Sequence, residues 1–348
     1  MANIALVAGA NGIIGKALIE EIGANSDWRA LALSRTPHSS SASISCDLTD
    51  LDATKAALER ANQVTHLFYA AYSPESNLRV EDQVNSAMLR NLLDALTAAK
   101  APIRRVVLYQ GAKIYGVHLG PVPGPFYEDD NSPHLGPNFY QTQEDELKRR
   151  AFAGGPEWTI LRPDVVVGDA TGNAMNIATV IGVYAALSRA TNSAFRFPGS
   201  AKVYDGVLAQ VTDAHALARA NLWAASAPNA RNQAFNYVHE PFRWRRVWEH
   251  IGRALDLPLG PPMPMALASH MPLLESIWNR LASEQNIRIP KYQEAVRWGF
   301  GDFVFGAEFD VVSNTTKIRK AGFVETLDPA DAILAAIKRQ QSNKIIPV

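Results

Sequence analysis

Glycines stand three residues apart in the run Gly9-Ala10-Asn11-Gly12-Ile13-Ile14-Gly15, between a short apolar segment and a helical pattern. That spacing suits a phosphate-binding turn. The first glycine permits a tight turn, the second lets backbone approach a pyrophosphate, and the third lets helix pack on strand. Asn11, Ile13 and Ile14 complete the loop, and the N–H groups opening the helix present a positive dipole end to phosphate oxygens. About 20 residues on, a dinucleotide site for NAD would carry an acid for the ribose hydroxyl. The sequence there reads Leu33-Ser34-Arg35. A guanidinium fork pairs with a 2′-phosphate, so NADPH/NADP+ is the expected cofactor, with a plain surface arginine as the alternative. Farther along lie a phenol, Tyr140, and a lysine, Lys113. The phenol can donate a hydrogen bond to an oxygen that gains negative charge. One helical turn after it stands Glu144, not a cation that would lower its pKa.

The elements that must hold these groups alternate between strand and helix. Apolar runs at 3–8, 28–34, 43–46, 64–69, 104–109 and 158–162 read as strands. Helical patterns cover 12–23, 50–61, 75–100 and 138–152. This order predicts an α/β fold, a Rossmann-type doubly wound parallel sheet. Beyond it come a helix at 174–190, a strand near Val203 to Leu208, a helix at 213–225, a strand at 234–238 and a helix at 244–254. The NADP(H)-binding domain is placed at 1–165, with segments in 203–240 returning to it. A smaller, partly interleaved substrate lobe takes most of 166–348. The Gly-, Pro- and aromatic-rich stretch 116–137 is too long for a simple connection, and long ordered loops are often functional.

Strand ends supply further cofactor positions. Asp47 and Leu48 close the third strand, where an acid can reach the adenine amino group or cap the next helix. Ala70 and Ala71 end the fourth, where small residues let backbone pass close to a cofactor. Gln110 and Gly111 end the fifth. Pro163 and Val165 follow the sixth, with Val165 placed beside a nicotinamide carboxamide.

Lysine plus arginine equal aspartate plus glutamate at 34 each, so the balance of charge argues against nucleic acid, and the basic runs 148–150 and 243–246 read as solvated helix faces. The single cysteine, Cys46, excludes an intrachain disulfide, and no metal-ligand spacing occurs. No apolar stretch reaches the roughly 18 residues of a membrane span. The start, Met1 to Val7, lacks a signal peptide's basic region, so a cytoplasmic protein is the expectation. A homodimer is left open.

Residues 1 to about 225 resemble the extended short-chain dehydrogenase/reductase superfamily. Its epimerase and dehydratase members carry a serine where Gly111 stands and a lysine where Glu144 stands. The altered pattern is similar to one branch, the progesterone 5β-reductase and iridoid synthase-like (PRISE) enone reductases. Their motifs match Gln110-Gly111-Ala112-Lys113-Ile114-Tyr115, Gly124-Pro125-Phe126 and Asn138-Phe139-Tyr140-Gln141-Thr142-Gln143-Glu144-Asp145. Phe235-Asn236, Phe242-Arg243-Trp244 and the segment 310–323, with Asn314 and Lys317, extend the likeness. Gln110 and Tyr72 depart from the branch, which has threonine and tryptophan there.

The resemblance implies conjugate reduction of an α,β-unsaturated carbonyl compound, with Tyr140 and Lys113 stabilising the enolate. Tyr72, Phe126, Phe139, Met175, Phe195, Met271 and Trp278 are expected around an apolar substrate, with Tyr127, Phe197 and Trp298 as further aromatic candidates. A carbonyl reductase or a sugar-nucleotide epimerase/dehydratase is the second reading, and a non-catalytic NADP(H)-sensing regulator the third.

Overall fold

The structure, a computed structural model, describes residues 3–39, 41–130, 136–170, 175–289 and 291–348. Seven strands form one sheet. They are β1 (Asn3–Ala8), β2 (Trp28–Ser34), β3 (Ala42–Ser45), β4 (His66–Tyr69), β5 (Arg105–Tyr109), β6 (Glu157–Arg162) and a last strand, Gln233–Asn236. Across the sheet the order is Gln233–Asn236, β6, β5, β4, β1, β2, β3, and every neighbouring pair is parallel. The reversal of strand order between β1 and β4 makes the sheet doubly wound, as expected. Central strands read as unbroken apolar runs because both faces are covered: β4 and β5 are buried at every position. Edge strand β3 is largely exposed and short.

The crossovers are α1 (Ile13–Gly23), α2 (Leu51–Leu58), α3 (Leu78–Ala98) and α4 (Phe139–Phe152). Asp50, Asn77 and Asn138 cap α2, α3 and α4 by accepting from first-turn N–H groups. One apolar cluster lies under α1 and the helix Ala214–Ser226, and another under α2 and α3. A third, larger cluster gathers α5 (Ile177–Ala190), the helix Trp244–Ala254 and the terminal helix Pro329–Ser342.

Several elements differ from the sequence reading. Val203 and Tyr204 suggest a strand by type, yet they sit in a short helix, Ala201–Asp205, opened by a Ser200 cap. Their burial against the third cluster outweighs local strand preference. The helix expected at 174–190 starts at Ile177, after the Asn176 cap, and position 174 lies outside the described residues. The segment 310–323 contributes only a short helix, Thr316–Lys320. Of the loop 116–137, residues 131–135 lie outside the described residues. Its ordered part is pinned: Phe126 donates to the Val312 carbonyl at 2.8 Å, and Asn314 donates to the Phe126 carbonyl at 2.8 Å.

Candidate active site

The predicted cofactor positions gather along one rim. Gly9 to Gly15, Ser34 and Arg35, Asp47 and Leu48, Ala70 and Ala71, Gln110 and Gly111, and Pro163 and Val165 all lie at or just beyond the carboxyl ends of β1 to β6. Open parallel sheets bind ligands at that edge. Gly9 has φ +80°, and a Cβ there would lie 2.5 Å from the Ala70 carbonyl oxygen. A Cβ on Gly15 would lie 2.7 Å from the Ala10 Cα. Gly12 precedes α1 without any side-chain cap, which leaves the first-turn N–H groups to be met by a bound anion. The loop therefore fits a dinucleotide's phosphates.

Asn11 ties this loop to the end of β2, donating to Ser34 Oγ at 3.1 Å and to the Thr36 carbonyl at 3.0 Å. Arg35 is exposed at the same strand end. Hydrogen bonds from the Thr49 N–H and hydroxyl hold the Asp47 carboxyl below its usual range, and the Arg35 charge adds to that effect. Leu48 is buried in the cluster under α2.

Tyr140 and Lys113 reach the same region from different elements. Lys113 lies in a short 3-10 turn, Ala112–Tyr115, directly after β5, and Tyr140 in the first turn of α4. Asn138 joins the two, donating from Nδ2 to the Lys113 carbonyl at 3.1 Å while capping α4 through its oxygen. The Phe139 ring lies 5.2 Å from Lys113 Nζ and 4.3 Å from the Tyr140 ring. Tyr72 stacks on Phe139 at 5.6 Å. Tyr140 also packs against the small buried cluster of Ala112, Ile114, Tyr115 and Phe126.

Burial pushes the Tyr140 phenol up to about 12, against a hydrogen bond from the Gly111 N–H. The phenol is therefore a neutral donor at ordinary pH. A Cβ at position 111 would lie 3.4 Å from the Tyr140 hydroxyl, so a serine there would take up space beside it.

Glu81, which the sequence reading did not single out, organises Lys113. It is 4% exposed, forms an ion pair with Lys113 Nζ and accepts from the Tyr72 hydroxyl at 2.6 Å. Its sequence signal was available: Glu81, Asn85, Leu89 and Leu92 form the buried stripe of α3, and a carboxylate on an apolar stripe calls for a partner. Asp164 was also passed over as a site residue. Its carboxyl accepts from the N–H groups of Val165 and Ala112, and burial raises it to about 6. Val165 itself adopts φ +39°, which is costly for a β-branched residue and typical of functional sites.

Glu144 occupies the place of the superfamily's lysine and has an internal role. Its carboxylate accepts from Arg162 at 3.1 Å, Gln110 at 3.1 Å and Lys148 at 2.8 Å. Against the burial that would raise it, these partners hold Glu144 below its usual range. Gln110 also donates to the Tyr140 carbonyl at 2.9 Å, and its oxygen accepts from Arg162 at 2.9 Å. The helix face below Tyr140 is thus locked to the ends of β5 and β6.

The remaining substrate candidates separate. Phe126 is buried and stacked on Tyr115 at 4.9 Å, beneath the loop. Phe195 stacks on Trp248 at 4.3 Å, and Trp278 on Tyr292 at 5.3 Å, both sealed in the third cluster with Met271, Phe197 and Trp298. Met175 and Tyr127 are exposed. The structure therefore brings Tyr72 and Phe139 to Tyr140 and Lys113, and places the others in core or at the surface. Outside the site, Asp169 gathers Lys16 at 2.6 Å and His215 at 3.6 Å, an ion cluster in which the lysine ammonium supplies the positive charge.

Among the described residues, no helix is long and apolar enough to cross a membrane.

Comparisons with known proteins agree in fold and family. The PRISE-like Rossmann-fold domain family matches residues 43–347, which begins after the glycine loop and Arg35. A 3-oxo-Δ(4,5)-steroid 5β-reductase from Arabidopsis thaliana is 28% identical, covering 99% of this chain and 93% of that protein. An (S)-8-oxocitronellyl enol synthase from Camptotheca acuminata is 27% identical, with the same 99% and 93% coverage. Among solved structures, the Bordetella bronchiseptica enzyme WbmH in complex with NAD+ superposes with a TM-score of 0.68 at 13% identity, covering 99% of this chain and 100% of that one. RMD from Pseudomonas aeruginosa complexed with NADPH gives 0.68 at 15% identity, covering 98% and 100%.

Proposed function

This chain belongs to the PRISE-like Rossmann-fold domain family and is an oxidoreductase, and from that premise we propose that it reduces the C=C bond of small hydrophobic α,β-unsaturated carbonyl compounds with NADPH. Two named relatives are a steroid 5β-reductase and an enol synthase. When bound, the reduced nicotinamide supplies hydride to the substrate's β-carbon.

The chain's own residues do the rest. Gly9, Gly12, Gly15 and the start of α1 hold the phosphates, and Arg35 holds the 2′-phosphate. Tyr72 and Phe139 offer aromatic surface to the substrate. Tyr140 donates its phenol hydrogen to the carbonyl oxygen, which becomes an enolate oxygen. Such a donor contributes about 3–4 kcal/mol in the transition state. Lys113, fixed by Glu81, keeps an ammonium in the same region, and water supplies the α-carbon proton.

The observation that carries this reading is that Tyr140 and Lys113 meet around the Phe139 ring while Glu144, not a lysine, stands one helical turn on, and burial keeps the phenol neutral. A phenol held neutral suits an oxygen that gains charge. It suits poorly the removal of a proton from an alcohol, which epimerisation asks of the corresponding tyrosine. The test is cofactor consumption with matched substrates. Oxidation of NADPH by 2-cyclohexenone but not by cyclohexanone supports the proposal. Oxidation by cyclohexanone alone rejects it in favour of carbonyl reduction.

A further inference from the structure

Tyr140 stands in the first turn of α4, and helix ends are where a helix frays. Donation to a developing oxyanion asks for a fixed phenol. Among the described residues, side chains hold the Tyr140 backbone from both ends. Asn138 Oδ1 accepts from the Tyr140 N–H at 3.1 Å, and Gln110 Nε2 donates to the Tyr140 carbonyl at 2.9 Å. In an α-helix that carbonyl already accepts from the N–H four residues on, so Gln110 meets its second lone pair.

Gln110 is itself rigid. It directly follows β5, and its N–H donates to the Leu161 carbonyl of β6 at 3.0 Å. It is 0% exposed, so its amide serves the interior. Arg162 Nε donates to Gln110 Oε1 at 2.9 Å, while Gln110 Nε2 reaches Glu144 Oε2 at 3.1 Å as well as the Tyr140 carbonyl. A guanidinium only donates, and a carbonyl and a carboxylate only accept, so the amide has one orientation. The Arg162–Glu144 ion pair, at 3.1 Å, spans it. The next residue passes beside the phenol, since a Cβ at position 111 would lie 3.4 Å from the Tyr140 hydroxyl. One strand end therefore meets Tyr140 at its carbonyl and at its hydroxyl.

We infer that Gln110 is a positioning residue for Tyr140: its amide ties the first turn of α4 to the end of β5 and so fixes where the phenol oxygen stands. The role rests on the donor function proposed above for Tyr140, and Gln110 acts only through that residue. Without the amide, the Tyr140 carbonyl keeps its helical partner and Arg162 keeps Glu144. The loss therefore falls on the placement of the phenol more than on the fold. A misplacement of about 1 Å in a catalytic group costs up to about 100-fold in rate.

The test is a double-substitution cycle in kcat for 2-cyclohexenone with wild type, Gln110→Met, Tyr140→Phe and the two combined. Methionine keeps nearly the length of glutamine and loses its amide. Alone, Gln110→Met should lower kcat about ten- to a hundredfold, with KM and the NADPH dissociation constant changed less than about threefold. In the Tyr140→Phe background it should lower kcat less than about threefold, because no phenol is left to position. A role in packing alone costs the same in both backgrounds. Equal losses therefore overturn the inference, and so does a kcat for Gln110→Met within about threefold of wild type. If Gln110→Met does not fold, Gln110→Asn enters the same cycle, since it keeps the amide and shortens its reach by one methylene. If wild type oxidises NADPH with cyclohexanone alone, the enone reading falls, and the cycle run on cyclohexanone still decides the role of Gln110. Oxidation with neither compound removes both.

Discussion

Replacing Tyr140 with phenylalanine removes one oxygen and leaves the ring. The ring's contact with Phe139 at 4.3 Å and its packing on the cluster of Ala112, Ile114, Tyr115 and Phe126 survive, so the first turn of α4 stays in place. The Gly111 N–H loses its acceptor. It is partly exposed, so water can replace the phenol oxygen and the stability loss should be about 1 kcal/mol. The catalytic loss is larger. One donor to a developing enolate is worth about 3–4 kcal/mol, which is about 100- to 1000-fold in kcat. Affinity for NADPH should change by no more than about threefold, because the phosphates are held at α1.

The assay is steady-state loss of reduced-cofactor absorbance with 2-cyclohexenone, alongside calorimetric cofactor binding. The pH profile adds a second check. A phenol raised to about 12 keeps its proton, so wild-type kcat should not need deprotonation of Tyr140 through the neutral and mildly alkaline range. A kcat within about threefold of wild type would refute the donor role. So would a wild-type kcat that climbs about tenfold per pH unit through neutrality, the signature of a required base.

Glu81→Gln leaves the Lys113 ammonium without its carboxylate. The Lys113 side chain is 20% exposed, so the loss should be about 2–3 kcal/mol, below that of a fully buried pair, as measured by urea denaturation; a change under about 0.5 kcal/mol would contradict the pairing. Arg35→Ala should raise the NADPH dissociation constant at least tenfold, roughly one charge-assisted hydrogen bond, with NADH affected less than about threefold. Equal losses would remove Arg35 as the 2′-phosphate partner. Asp164→Asn should raise the thermal midpoint above about pH 6, since a native carboxyl raised to about 6 opposes folding once ionised. That gain should vanish below about pH 4, where the unfolded carboxyl is protonated too, and a gain that persists there would have another origin.

The parts of the site written in local backbone geometry were legible from sequence. Gly9, with φ +80° and Ala70 close behind it, and Gly15, pressed on Ala10, leave a trace because no other residue fits. The parallel sheet was legible because its central strands are continuous apolar runs. Partnerships across elements were not. Glu81 and Lys113 are 32 positions apart and Arg162 and Glu144 are 18 apart, and no local pattern states that they meet. Glu144 is salt-bridged to Lys148 one turn on, which helix spacing makes legible, but its internal network with Gln110 and Arg162 is not. Val203 and Tyr204 misled by residue type, since the Ser200 cap and burial in the third cluster outweigh strand preference. Aromatic content likewise overstated the pocket, because Phe195 and Trp278 serve packing.

The central claim is that hydride adds to carbon conjugated with the carbonyl while Tyr140 holds the oxygen. Reduction of 2-cyclohexenone with NADPH deuterated at the transferring position tests it most directly. Conjugate addition gives cyclohexanone with deuterium at the β-carbon. Deuterium on the carbinol carbon of 2-cyclohexenol would contradict it.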